Sequence, residues 1–181
     1  MAEAFFRGSR IDTADELYLC SVCGQQHLLH DVSITLSKAD DEYYARLIDE
    51  LFAGRNNDEV IATDRTTLVK TVTQLTRGIE EGYGKKLSEV DYSTPDDGML
   101  KAMEKNVYEF AAAKNYQQMK ALNEALRDGK RLKSFEEFKR DASAIIDEYQ
   151  VRYLKAEYNH AVAASQMCRK WQDFPPGALL Q

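Results

Sequence analysis

Cys20, Cys23, His27 and His30 gather four soft or borderline metal ligands into the stretch "LYLCSVCGQQHLLHD", residues 17–31. The Cys-x2-Cys turn followed by Gly24 resembles a zinc knuckle, in which backbone amides turn toward the thiolate sulfurs. A filled four-ligand shell would make such a metal structural rather than catalytic. The gap between the two ligand pairs is only three residues, however, whereas structural sites space their pairs a dozen or more apart. Three readings therefore stand side by side: one zinc on these four residues, a two-cysteine site completed by Cys168, His160 or another chain, or buried small cysteines beside surface histidines. No other cofactor is called for.

The remaining reactive side chains do not assemble a catalytic pattern. Glu80-Glu81, Asp96-Asp97 and Glu136-Glu137 are neighbours in sequence, so on a helix they point about 100° apart and cannot share a proton. "GYGKK" (82–86) has glycine and lysine without the spacing of a phosphate-binding loop. Cys168 and His160 lie two turns apart, beyond the reach of a nucleophile and its base. The expectation is a protein without catalysis.

The elements that carry these residues fall into two groups. Residues 1–36 contain "LYL" and "VSITL", short β-branched or aromatic runs that predict a small irregular or hairpin-like Cys/His module. Residues 37–181 read as helical. Tyr44, Leu47, Ile48 and Leu51 form an amphipathic stripe ended near Gly54. A second helix is expected from about Asp58 to Glu81, with Val60, Leu68, Val72, Leu75 and Ile79 inside. Thr94, Pro95, Asp96 and Asp97 mark a third start. Its helix runs through Met99, Met103, Val107 and Phe110, is expected to break near Lys114-Asn115, and ends by Gly129. Ser134 with Glu137 has the capping-box spacing and opens a final helix with Phe135, Phe138, Ala142, Ile145 and Tyr149 inside. Without glycine or proline until Pro175, that helix can run roughly 39 residues, about 58 Å. The fold expected is mainly α: an elongated helical bundle with a long C-terminal helix and a small N-terminal module.

Composition narrows the setting. The 181 residues are 44% hydrophobic and 30% charged with three prolines, which is the balance of an ordered chain. No stretch reaches the ~20 apolar residues of a membrane span, and "MAEAFFRGSR" lacks the apolar centre of a signal peptide. A cytoplasmic chain with reduced thiols is expected. The net charge of −6 argues against direct DNA binding, and the densest basic stretch, residues 127–140, is interleaved with Asp128, Glu136 and Glu137.

Near the C-terminal end, Ala161, Ala163, Ala164 and Ser165 form a small-residue surface flanked by Tyr153, Tyr158, Met167 and Trp171, with Asn159 and Gln166 on one face. Composition alone reads this stretch as a long core helix, and the small residues as a surface for a packed neighbour are the alternative. These residues belong to a pattern that resembles the minor head proteins of tailed phages and prophages, the Mu F-like head morphogenesis family. The resemblance is carried by Asn106, Tyr108 and Phe110 leading into Lys114-Asn115-Tyr116-Gln117-Gln118. It continues through Phe135 and Phe138, then Glu157-Tyr158-Asn159, Ala161-Val162-Ala163, Gln166 and Trp171. His160 departs from it, standing where a small hydroxylated residue is expected. The family normally continues into a Mu F-like C-terminal domain, which these residues do not include.

The resemblance implies a non-catalytic minor capsid protein inside the phage head near the portal vertex, assembled in the host cytoplasm. It would bind portal and capsid proteins, with self-association as a further contact, and act in head assembly and in DNA packaging or delivery. Its assembly motif would comprise Tyr153, Glu157, Tyr158, Asn159, Ala161, Val162, Gln166 and Trp171. The rival expectation is a zinc-dependent nucleic-acid-binding regulatory protein, which would need a metal and a basic face.

Overall fold

The computed structural model describes residues 17–19, 26–28, 34–56, 60–90 and 95–172. Five α-helices dominate: α1 (Lys38–Ala53), α2 (Arg65–Tyr83), α3 (Pro95–Ala125), α4 (Phe135–Asp147) and α5 (Leu154–Gln172), with a π-helical segment, Glu148–Tyr153, joining the last two. The chain is mainly α, and α4, the π segment and α5 together make the long C-terminal helix. Among the described residues there are also two short antiparallel pairs. Strand β1 (Leu17–Leu19) pairs with β2 (Gln26–Leu28), and β3 (Arg127–Asp128) pairs with β4 (Arg131–Leu132) across Gly129.

Local chemistry accounts for most helix ends. Ser37 caps α1 and Ser134 caps α4, each through a capping box, with Asp40 and Glu137 returning to the cap residue's own N–H. Asp64 caps α2 by accepting from Thr67 N at 2.7 Å. Gly84 closes α2 at φ 82°, a left-handed conformation that glycine adopts without steric cost.

Several expected elements shift. β2 is Gln26–Leu28 rather than "VSITL", and residues 34–37 carry no strand. α2 begins at Arg65, because Asp64 supplies the cap, so Val60 lies outside the helix and is 65% exposed. Thr94, the expected cap of α3, is outside the described residues. The break foreseen at Lys114-Asn115 does not occur: α3 is one helix of 31 residues. Both side chains are buried with partners, so polarity there marks an interior contact instead of a turn.

Buried apolar side chains form two clusters. The first joins Tyr44, Leu47, Ile48 and Leu51 of α1 to the C-terminal half of α3 and to Phe138, Ala142 and Ile146 of α4. In the second, Leu75, Ile79 and Tyr83 of α2 meet Leu100 and Val107 of α3 and Leu154 and Cys168 of the last helix.

The long C-terminal helix serves both clusters because of its π segment. Phe138, Ala142, Ile146, Gln150, Leu154 and Tyr158 recur every four residues, and none is more than 1% exposed. On an ideal α-helix each four-residue step overshoots one turn by about 40°, so five steps would swing the last residue about 200° from the first. A π turn holds more residues per turn and absorbs part of that overshoot. Both halves of the helix therefore keep their buried row facing inward.

Candidate functional site

A groove of about 510 Å³ opens between α2, α3 and α5. Leu75 and Ile79 of α2 lie at its base. Met103 and Phe110 of α3 form one side, and Ala156, Ala161 and Ala164 of α5 form the other. Asn106, Glu157 and His160 are its polar members, and Glu157 supplies the one carboxylate among the described lining residues. Met99, one helical turn before Met103 on α3, is also 48% exposed, and Phe110 is 43% exposed. No lysine or arginine is among the described lining residues. The lining is mainly aliphatic, with Met103 and Phe110 as its large members on α3.

Polar contacts tie α3 to α5, to the start of α2 and to the π segment. Lys114 of α3 donates from Nζ to Glu157 Oε2 at 2.8 Å, with side chains 4% and 22% exposed. Burial pulls the Lys114 ammonium below its usual pKa and pushes the Glu157 carboxyl above its own, and in each case the ion pair opposes the shift. Asn115 grips the start of α2: its Oδ1 accepts from Asp64 N at 2.8 Å and its Nδ2 donates to Asp64 O at 2.9 Å. Asn123 extends this hold by donating to Ile61 O at 3.0 Å. In the π segment, Gln150 Nε2 donates to Gln118 Oε1 at 2.6 Å. The other two amide atoms, Gln118 Nε2 and Gln150 Oε1, are buried without a partner among the described residues.

The α2–α5 crossing is close because α2 offers glycines. A Cβ on Gly82 would lie 2.0 Å from Ser165 Oγ and 2.3 Å from Val162 O, and one on Gly78 would lie 3.2 Å from Tyr158. Ser165 turns its hydroxyl inward onto its own helix, donating to Ala161 O at 2.8 Å. Tyr158 is buried and its hydroxyl donates to Glu81, which with burial pushes the phenol up to about 12.

The residues of the expected assembly motif thus divide into three sets. Tyr158 is interior, and Val162 meets Gly82 of α2 through its carbonyl. Glu157 and Ala161 line the groove, as do Asn106 and Phe110 from the earlier run, so segments some fifty residues apart in sequence form one surface. Tyr153 and Gln166 are exposed, Asn159 is half-buried, and the side chain of Trp171 is outside the described residues. The small-residue surface at Ala161–Ser165 has a neighbour within the chain, α2, in addition to the groove.

Of the four candidate zinc ligands, Cys20, Cys23 and His30 lie outside the described residues, and His27 sits in β2 opposite Tyr18. Among the described residues no group of three or more His, Cys, Asp and Glu is arranged to hold a metal ion. Cys168, offered as a completing ligand, is buried in the second cluster, and His160 borders the groove.

Sequence reasoning did not foresee the Lys114–Glu157 pair, the Asn115–Asp64 grip or the Gln118–Gln150 contact. The available signal was Lys-Asn-x-x-Gln set between strong helix formers with no glycine or proline, a pattern that a solvated break does not require. No protein-family model, curated protein or solved structure matches the chain. No described helix is long and apolar enough to cross a membrane.

Proposed function

We propose that this chain is the helical assembly region of a tailed-phage minor head protein, bound near the portal vertex and acting without catalysis in head assembly and DNA packaging or delivery. The observation that carries the reading is the groove. Asn106, Phe110, Glu157 and Ala161, all from the runs that resemble the head morphogenesis family, line one largely apolar surface, which supports a role in protein contact. Phe110 and Met103 are the anchors that such an interface would use, since large side chains near the centre of a contact carry most of its energy. The acidic net charge of −6 favours a protein partner over packaged DNA.

The test is co-purification with the portal protein of the phage or prophage that carries this chain, together with mass spectrometry of purified virions. The reading expects a stable complex and a low number of copies per virion. A chain that neither associates with the portal nor enters virions would refute it.

A further inference from the structure

We infer that the junction of α2, α3 and the π segment is an internal hydration site, in which an ordered water is held by Gln118 Nε2, Gln150 Oε1 and the Thr71 hydroxyl. The inference goes beyond the assembly reading and does not depend on it.

The buried side chains are layered. In the long C-terminal helix, Ile146 belongs to the first apolar cluster and Leu154 to the second, and Gln150 lies between them. On α3, Val107 belongs to the second cluster and Leu122 to the first, and between them Lys114, Asn115 and Gln118 are all buried. On α2, Thr67 and Thr71 are buried just before Leu75, where the second cluster begins. A buried polar layer thus separates two apolar clusters.

Helix register brings three members of the layer to one level. Gly78 lies against Tyr158 and Gly82 against Val162 and Ser165, so α2 and α5 run parallel. About two helical turns back on each side, Thr71 comes level with Gln150 and Val151, and of those two Gln150 is the buried one. Gln150 in turn bonds Gln118 of α3 at 2.6 Å.

The chemistry of these groups selects water. Thr71, Gln118 and Gln150 are each no more than 1% exposed. Thr71 Oγ1, Gln118 Nε2 and Gln150 Oε1 have no hydrogen-bond partner among the described residues, and polar atoms buried unpaired are costly. Turning both amides over leaves one nitrogen and one oxygen unpaired again, so the pair cannot satisfy itself through its single bond. The nitrogen only donates and the oxygen only accepts, which a bound anion or cation cannot answer together. Water accepts from Gln118, donates to Gln150 and keeps a third bond for the Thr71 hydroxyl, the usual number for a buried water. Lys114 and Asn115, the charged and amide neighbours in the layer, are already engaged by Glu157 and Asp64.

A crystal structure of the full chain, at a resolution that shows ordered water, tests the site directly. Oxygen-17 relaxation dispersion counts, in solution, the waters held longer than the protein tumbles. Density within about 3.2 Å of both amides and at least one long-lived water are expected. Gln118→Met combined with Gln150→Met makes the site apolar, and is expected to remove one long-lived water and to unfold at a higher urea concentration than either single variant. Thr71→Val keeps the branched shape and is expected to shorten the water's residence roughly fivefold. A dry layer in which both amides bond protein atoms directly, an ion in place of the water, or dispersion unchanged in the double variant would overturn the inference. The parent chain alone supplies both the density and the water count, so a variant that fails to fold leaves the test intact.

Discussion

Around α4, Phe138, Ala142 and Ile146 are enclosed by α1 and the C-terminal half of α3, and Phe52 closes over Phe135 and Phe138 with ring centroids 5.1 and 6.0 Å away. Around α5 the same long helix buries Leu154, Tyr158 and Cys168 but leaves Ala156, His160 and Ala164 on an open groove. The first half has its energy in apolar area. The second depends on a close glycine crossing, a buried ion pair and amide contacts, which fix geometry more than they add stability. On the proposed assembly reading, a helix that presents a surface to a partner needs its position defined, and the contacts of the second half would define it.

Breaking the closed half should cost most. Phe138→Ala removes a fully buried ring and is expected to destabilise the fold by about 4 kcal/mol, measured by urea unfolding. Gly82→Ala tests the open half, since the added methyl meets the Val162 carbonyl and the helices must part. A loss of about 2 to 3 kcal/mol is expected, against the gain that alanine gives an ordinary helix position.

The buried pair allows a sharper comparison. Lys114→Met alone leaves Glu157 without its partner and should cost about 2 to 3 kcal/mol, whereas Lys114→Met with Glu157→Leu should return stability to within about 1 kcal/mol of the parent. A double variant as unstable as the single one would show that the pair contributes net stability. If the pair instead serves position, the double variant should fold and yet bind its partner poorly.

The smallest effect is expected at the start of α4. Ser134→Ala removes the cap hydroxyl and should lower Tm by roughly 2–4 °C. Hydrogen bonds from the Ser134 backbone, then from Arg131 and the Ser134 hydroxyl, lower the Glu137 pKa from 4.5 to about 2. Because the folded value is the depressed one, this contribution is present above about pH 4.5 and is lost as pH falls toward 2. A Glu137→Gln variant should therefore show a flatter urea midpoint across that window, and an unchanged slope would contradict the assignment.

The closed half was largely legible in the sequence. Tyr44, Leu47, Ile48 and Leu51 follow the helical period and are all buried, and the capping box of Ser134 with Glu137 at the start of α4 needs only local spacing. The open half was legible only in fragments. Lys114 and Asn115 looked like a helix break because their partners, Glu157 and Asp64, lie 43 and 51 residues away, and single-sequence periodicity carries no information about such pairing. The four-residue recurrence from Phe138 to Tyr158 was present in the sequence, but Ile145 and Tyr149 also fit an α-helical stripe. Only the π segment decides between the two rows.

Phe110 and a residue on the closed half offer the most direct test of the claim that the groove is the assembly surface. Portal protein is co-expressed with the parent chain, with Phe110→Glu and with Arg46→Glu, which alters an exposed position on α1, and the retained portal is quantified after affinity purification. The expected result is retention by the parent and by Arg46→Glu, and loss with Phe110→Glu at an unchanged Tm. Equal retention by all three, or none by the parent, would contradict the account.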